Sequence, residues 1–320
     1  MESSIRVLIV YWVEVIVAFI VNSCMLYLCL RTPNFRKAAS NIFLINLIVS
    51  NLLTALAASI ALGTHFGKGK PNHSDAATLF MYIYTALLVA HLLSVLLVTA
   101  DRFIAVVYPF YYQKLLRKRN VRIMLITTWV FSLLSISTGT VLASTDDTRI
   151  INVASDSVKY IIIIIGLIGM LFLIVSNAVI LRVVRKQIRL IISISVFGDD
   201  EAASKQHTNN LRKKELRATY LCFAIAGLFV ITWCPLVAGC IITVAHEETQ
   251  VAKHLMDAGK YLILFGITLD SCLYVPFKSE LRKLMKNLSC FRKWRNKTAE
   301  NKPTSCKTTS SSTAQDDTSM

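Results

Sequence analysis

The chain has 320 residues, 54% of them hydrophobic, and a formal net charge of +16. Its mean hydropathy of +0.55 exceeds what a soluble protein of this length needs, so a polytopic membrane protein is the first reading and no soluble domain stands apart. The positive charge lies mostly in loops and tail, which points to anionic lipid and cytoplasmic partners rather than nucleic acid.

A transmembrane helix needs about 20 apolar residues. Seven stretches qualify: Val7–Leu30, Asn41–Gly63, Ala76–Val107, Ile123–Ala143, Val158–Val184, Arg217–Ala245 and Lys253–Pro276. The expected fold is all-α, a seven-helix transmembrane bundle over 7–277. It is flanked by a short outer N-terminus (1–6), a membrane-surface helix (278–291) and a disordered cytoplasmic tail (292–320). Few residues precede the first span, which shows no small-residue cleavage site before it and is expected to serve as its own insertion signal.

The first span carries Glu14 and Asn22. The loop after it holds Arg31, Arg36 and Lys37. The second span opens on Asn41 and continues with Asn46 and Asn51. The next loop contains Asn72-His73-Ser74, a glycosylation sequon. The third span, rich in Leu and Val, carries His91 and ends in Asp101-Arg102-Phe103. A charged pair at that depth is costly unless paired or at work. Lys114, Arg117, Lys118, Arg119 and Arg122 follow, then a fourth span with Trp129. The fifth span is a near-unbroken Ile/Leu run, followed by Arg185, Lys186 and Arg189, and then by Arg212, Lys213, Lys214 and Glu215. The sixth span contains Phe229, Trp233 and Pro235. The seventh begins with Lys253 and carries Lys260, Asp270 and Tyr274.

Basic residues favour the cytoplasmic side. Loops one, three and five are rich in Lys and Arg, and the alternate loops are poor. The N-terminus is therefore expected outside and the C-terminus inside. After the last span, Leu281, Leu284 and Leu288 recur at helical spacing among bases, the pattern of an amphipathic helix on the inner leaflet. Cys290 at its end is a palmitoylation candidate. Of eight cysteines, Cys24, Cys29, Cys222, Cys234, Cys240 and Cys272 lie in spans, and no outer loop offers a clear disulfide pair. No metal-ligand or nucleophile–base motif occurs, so neither an enzyme nor a cofactor is expected.

Asp101-Arg102-Phe103 with Pro109, and Phe229 to Pro235, resemble the third and sixth helices of rhodopsin-like G-protein-coupled receptors. The order of motifs over residues 7–290 fits the same family. The resemblance implies a receptor of the plasma membrane whose partners are a heterotrimeric G protein, receptor kinases and arrestin. It implies a switch in which Arg102 is held by Asp101 and Glu215 until the sixth helix swings outward, with Tyr274 completing the inner end. The bland alternative is an arginine that snorkels to headgroups. Trp233 and Pro235 match the family's toggle and kink, and Phe229 is expected against the third helix. Phe103 stands where the family has tyrosine, Asn177 replaces a fifth-helix tyrosine, and Ser271 replaces the seventh-helix proline.

The same resemblance places Asn22, Asn51, His91 and Asp270 around the family's sodium site. The family carboxylate is matched by Asn51, while Asp270 supplies an acid from the seventh span. Two readings stand for His91: a neutral core residue, or an ion-pair partner of Asp270 that replaces sodium and tunes activation by protonation. Two readings stand for Lys260 as well, a structural bridge to Glu14 or a ligand contact. The family's outer disulfide is missing (Ala77 stands at its position), as in the melanocortin, cannabinoid and lysophospholipid branch. The candidate pocket is Phe80, Tyr84, Leu88, Ile161, Ile165, Trp233, Leu236, Val237 and Lys260. It is apolar with few polar handles, which suits a small lipid or acidic ligand. The alternatives are a signalling-silent receptor-like protein or a transporter.

Overall fold

In the computed structural model, residues 2–31, 35, 38–67, 76–143, 148–197, 202–246 and 249–277 are described. They form helices α1 (Glu2–Arg31), α2 (Ala39–Gly67), α3 (Ala76–Val107), α4 (Pro109–Leu115), α5 (Lys118–Ala143), α6 (Thr148–Phe197), α7 (Ala202–His246) and α8 (Gln250–Phe277). The order of neighbours is a closed ring, α1–α2–α3–α5–α6–α7–α8 and back to α1. Within it α3 touches α2, α4, α5, α6 and α7, which makes it the central column.

Every expected span is helical, with corrections to its extent. The fifth span is a 50-residue helix beginning at Thr148, and the sixth a 45-residue helix beginning at Ala202. At 1.5 Å per residue α6 is roughly 75 Å long, more than twice the hydrocarbon thickness. The polar residues flanking these spans carry no helix breaker, so the helix continues past the apolar run. Among the described residues five helices are long and apolar enough to cross a membrane: α1, α2, α3, α6 and α7. The fourth and seventh expected spans are helices of 26 and 28 residues, diluted by Ser and Thr in α5 and by charged residues in α8. The short helix α4 was not anticipated. Pro109 opens it at the first turn, where a missing N–H costs nothing.

The distribution of side chains suits lipid as solvent. Ile16, Ile20, Ile126, Leu134, Ile168 and Leu171 point outward and are exposed. Asn22, Asn51, His91, Ser94, Asp101 and Asp270 are buried. With no water in the hydrocarbon layer, such polar groups are held by one another or by backbone. Trp129 donates Nε1 to Asn46 Oδ1 at 2.9 Å, and Asn46 donates to Ser94 at 2.8 Å, tying α5, α2 and α3 together. Ser271 donates to Asn22 Oδ1, tying α8 to α1.

Close backbone approach completes the ring. A Cβ on Gly259 would lie 2.6 Å from the Leu236 backbone nitrogen, so only glycine lets α8 sit against α7. Trp233, Leu92, Leu264 and Ile267 are among the largest fully buried side chains and fill the centre.

Candidate functional site

Two polar clusters sit on the central column. The inner one is at the end of α3. The Asp101 side chain is only 2% exposed, and its Oδ2 lies 3.4 Å from Arg102 Nε. Its Oδ1 accepts a 2.9 Å hydrogen bond from the Tyr112 hydroxyl. Tyr112 reaches it because Tyr108 breaks the helix and α4 turns the chain back beneath α3. Burial first, then the charge of Asp101 and the hydrogen bond to it, push the Tyr112 phenol up to about 12, so it remains a donor at physiological pH. The Arg102 side chain keeps 27% exposure. It is thus partnered through one edge and open on the other.

Phe103 packs edge-on against Tyr108 at 6.2 Å between ring centres. Phe110, on α4, is 95% exposed. Neither Phe110 nor Tyr112 stood out in the sequence. An aromatic after a charged tripeptide carries no sign of whether it will fold under α3 or project from it. The backbones of Glu215 and Tyr274 belong to α7 and α8, while their side chains lie outside the described residues.

The second cluster lies at the bundle centre. His91 Nε2 and Asp270 Oδ2 are 3.1 Å apart, with side chains 3% and 6% exposed. Three rings stack from this point inward: His91 on Trp233 at 6.4 Å, and Trp233 on Phe229 at 5.1 Å. Phe229, expected against the third helix, is buried and stacks on Trp233 of its own helix. Pro235 lies inside α7, two residues past Trp233, where it cannot donate to the preceding turn. Asn51 donates Nδ2 to Ile267 O at 3.2 Å. Asn22 donates Nδ2 to Ala18 O at 2.7 Å. His91 Nδ1, Asn51 Oδ1 and Trp233 Nε1 are buried and meet no hydrogen-bond partner among the described residues.

The family's sodium site can be tested on these residues. Asn51 contributes a neutral amide, and the carboxylate of Asp270 is already met by an imidazole. That donor set does not fit a sodium ion, because the charge that would hold it faces His91.

Of the expected pocket residues, Tyr84, Leu88, Trp233, Leu236 and Val237 are buried. Phe80, Ile161 and Ile165 are half-buried. Lys260 behaves differently from the expectation of a Glu14 bridge. Its Nζ lies 3.0 Å from Asp257 Oδ1, one turn away on its own helix. Glu14 Oε2 is buried with no hydrogen-bond partner among the described residues, and Tyr11 beside it packs edge-on against Tyr261 at 5.4 Å. Asp257 lies one turn from Lys260 on the same helix, the spacing at which side chains of one helix meet. Among the described residues Cys24, Cys234, Cys240 and Cys272 are free thiols. The Asn72 sequon, Cys290 and the 278–291 helix lie outside the described residues.

Comparison with known proteins agrees with this arrangement. Residues 21–274 match the family described as "7 transmembrane receptor (rhodopsin family)". "G-protein coupled receptor 26" of Homo sapiens is 28% identical over 118 residues, which is 37% of this chain and 35% of that receptor. The protein of the same description from Mus musculus matches to the same extent. The aligned part is thus about a third of the length of these relatives. A family match covering most of the chain, on a helical ring with a buried Asp101–Arg102 at the end of its central helix, settles the family. The chain belongs to the rhodopsin family of seven-transmembrane receptors.

Proposed function

We propose that the protein is a G-protein-coupled receptor of the plasma membrane. It converts binding of a small extracellular or membrane-derived ligand, lipid or acidic in chemistry, into activation of a heterotrimeric G protein. The N-terminus faces outward, and the basic ends of α3, α5 and α6 face the cytosol. Activation moves α7 outward about Pro235 and frees Arg102. Receptor kinases and arrestin act on the Ser/Thr-rich tail. Asn72 carries a glycan, and Cys290 a palmitoyl chain.

The observation that supports this most is Asp101, buried and shared between Arg102 and Tyr112. A carboxylate held this way keeps the arginine turned along the bundle until another partner takes it. Glu215 is the second acid, on α7. Phe110, projecting beside this cluster, is an apolar contact for the partner protein. The stack His91–Trp233–Phe229 links the ligand region to this end. His91 and Asp270 replace the family's ion with a direct contact at the centre of the bundle.

The test is ligand-free signalling through a panel of G proteins, comparing wild type with Glu215→Ala at matched surface levels. A rise in one pathway supports the Arg102 lock and reveals the coupling class. No change in any pathway favours the second reading, a signalling-silent receptor-like protein. That reading has its own support in Asn177, which replaces a tyrosine and binds only its own helix, at Leu173 O. Basal signalling that stays flat across pH removes a protonation role for His91 and leaves its contact structural.

A further inference from the structure

Helix α6 does not stop where its membrane run stops. Arg182, Arg185, Lys186 and Arg189 are exposed and mark the edge of the hydrocarbon layer. The helix continues past them to Phe197. From position 182 to its end it is about 24 Å long at 1.5 Å per residue. No Pro or Gly occurs between Gly169 and Gly198, so nothing in the sequence kinks it. The extension therefore leads away from the bilayer instead of lying along the headgroups.

Its surface is divided lengthwise. Val184 is buried toward the bundle. On the helical period, positions 182, 185, 186 and 189 form a basic stripe on the opposite side. Positions 183, 190, 194 and 197 form an apolar stripe beside it. Leu190 is 53% exposed, and positions 194 and 197 are Ile and Phe. Apolar residues four and then three apart are the anchors of a helix that enters an apolar groove.

The charge is one-sided as well. No Asp or Glu occurs between Asp156 and Asp199. Lys159, Lys260 and Arg102 each face an acid. Among the described residues Arg182, Arg185, Lys186 and Arg189 meet none. A basic amphipathic helix suits either a membrane surface or an acidic groove in a protein. The direction of the extension disfavours the membrane. An apolar strip on a helix in water calls for cover, and the basic stripe calls for acid. A groove with an adaptable apolar floor and an acidic rim answers both, and calcium-loaded EF-hand sensors open such a groove.

We infer that residues 182–197 of α6 are a docking helix for a calcium-loaded acidic sensor of the calmodulin type. Leu190 enters the groove and the four cations meet its rim. The inference rests on the reading that this end faces the cytosol, where such a sensor is found, but not on coupling to a G protein. The full-length receptor in phosphatidylcholine nanodiscs exposes both ends, so binding there is read without regard to orientation in a cell.

Fluorescence anisotropy of labelled calmodulin is the measurement. Binding is expected to saturate in calcium and to vanish in EGTA. Arg185→Gln/Lys186→Gln/Arg189→Gln is expected to weaken it roughly tenfold or more. Leu190→Glu, at an exposed position, is expected to do the same. Lys114→Gln/Arg117→Gln/Arg119→Gln removes the same charge from the α4–α5 turn and is expected to retain binding. Arg185→Lys/Lys186→Arg/Arg189→Lys is expected to retain it too, which separates loss of the site from loss of the fold. Equal losses in the two Gln triples overturn the site in favour of general surface charge. Binding that persists in EGTA overturns the calcium-opened groove. Absence of saturable binding by the wild type overturns the proposal altogether. Nanodisc binding intact, with residues 182–197 found outside the cell, overturns only the cytosolic reading.

Discussion

The inner and central carboxylates of α3 and α8 make an instructive pair. Asp101 and Asp270 are both buried, and each faces a basic side chain. Asp101 meets a neutral hydroxyl from α4 as well as Arg102, and that arginine is about a quarter exposed. Asp270 meets an imidazole sealed within the bundle, whose Nδ1 has no hydrogen-bond partner among the described residues. An arginine with an open edge can leave, because water or a docking protein replaces what it loses. A sealed contact has no such substitute, so breaking it costs its full desolvation. The first is therefore placed to act as a latch and the second as a strut.

Breaking the strut gives the largest effect. Asp270→Ala is expected to lower stability by about 3–5 kcal/mol, because it strands His91 in the core. Thermal melting in detergent measures it, and His91→Leu/Asp270→Leu is expected to recover most of the loss. A double variant no more stable than Asp270→Ala would falsify the strut.

The latch is probed by Asp101→Asn, which keeps an acceptor for Tyr112 but discharges the contact with Arg102. Basal signalling is expected to rise several-fold, and stability to fall by about 2 kcal/mol, the scale of a hydrogen bond to a charged group. If signalling is unmoved while stability drops, Asp101 is a strut as well.

Tyr112→Phe sharpens the same distinction. It removes one charge-assisted bond from a half-buried site, at a cost of about 1.5 kcal/mol. Basal signalling is expected to rise less than in Asp101→Asn, since Arg102 retains its acid. A larger rise assigns the latch chiefly to α4.

Ser271→Ala has the smallest effect, about 1 kcal/mol for one neutral hydrogen bond to Asn22. Signalling is expected to remain at wild-type level. A change in basal activity instead makes the α1–α8 tie part of the switch.

Much of this was legible in the chain. Apolar runs of membrane length announce helices because a bilayer leaves the backbone no other way to satisfy its polar groups. Asp101-Arg102 and Trp233-Cys234-Pro235 were conspicuous for a similar reason, since charge and proline are costly in such helices. The pairing of His91 with Asp270 was one of two readings, and 179 residues separate them. Bringing the two together needed the packing of the whole bundle. Glu14 and Lys260 had matching depths, yet depth says nothing of rotation about the helix axis, and Lys260 turned to Asp257 instead.

The sequence by itself therefore determined the helical character of the seven apolar stretches, the polar residues that must be buried, and the basic character of alternate loops. These follow from transfer energies and helical period, which depend on local composition alone. Only the tertiary structure decided which buried groups meet, that Tyr112 lies under Asp101 while Phe110 projects, and that Ser271 bonds to Asn22. Those outcomes depend on the rotation and close approach of packed helices. Contacts such as Gly259 against the Leu236 backbone set that approach, and no short window of sequence encodes it.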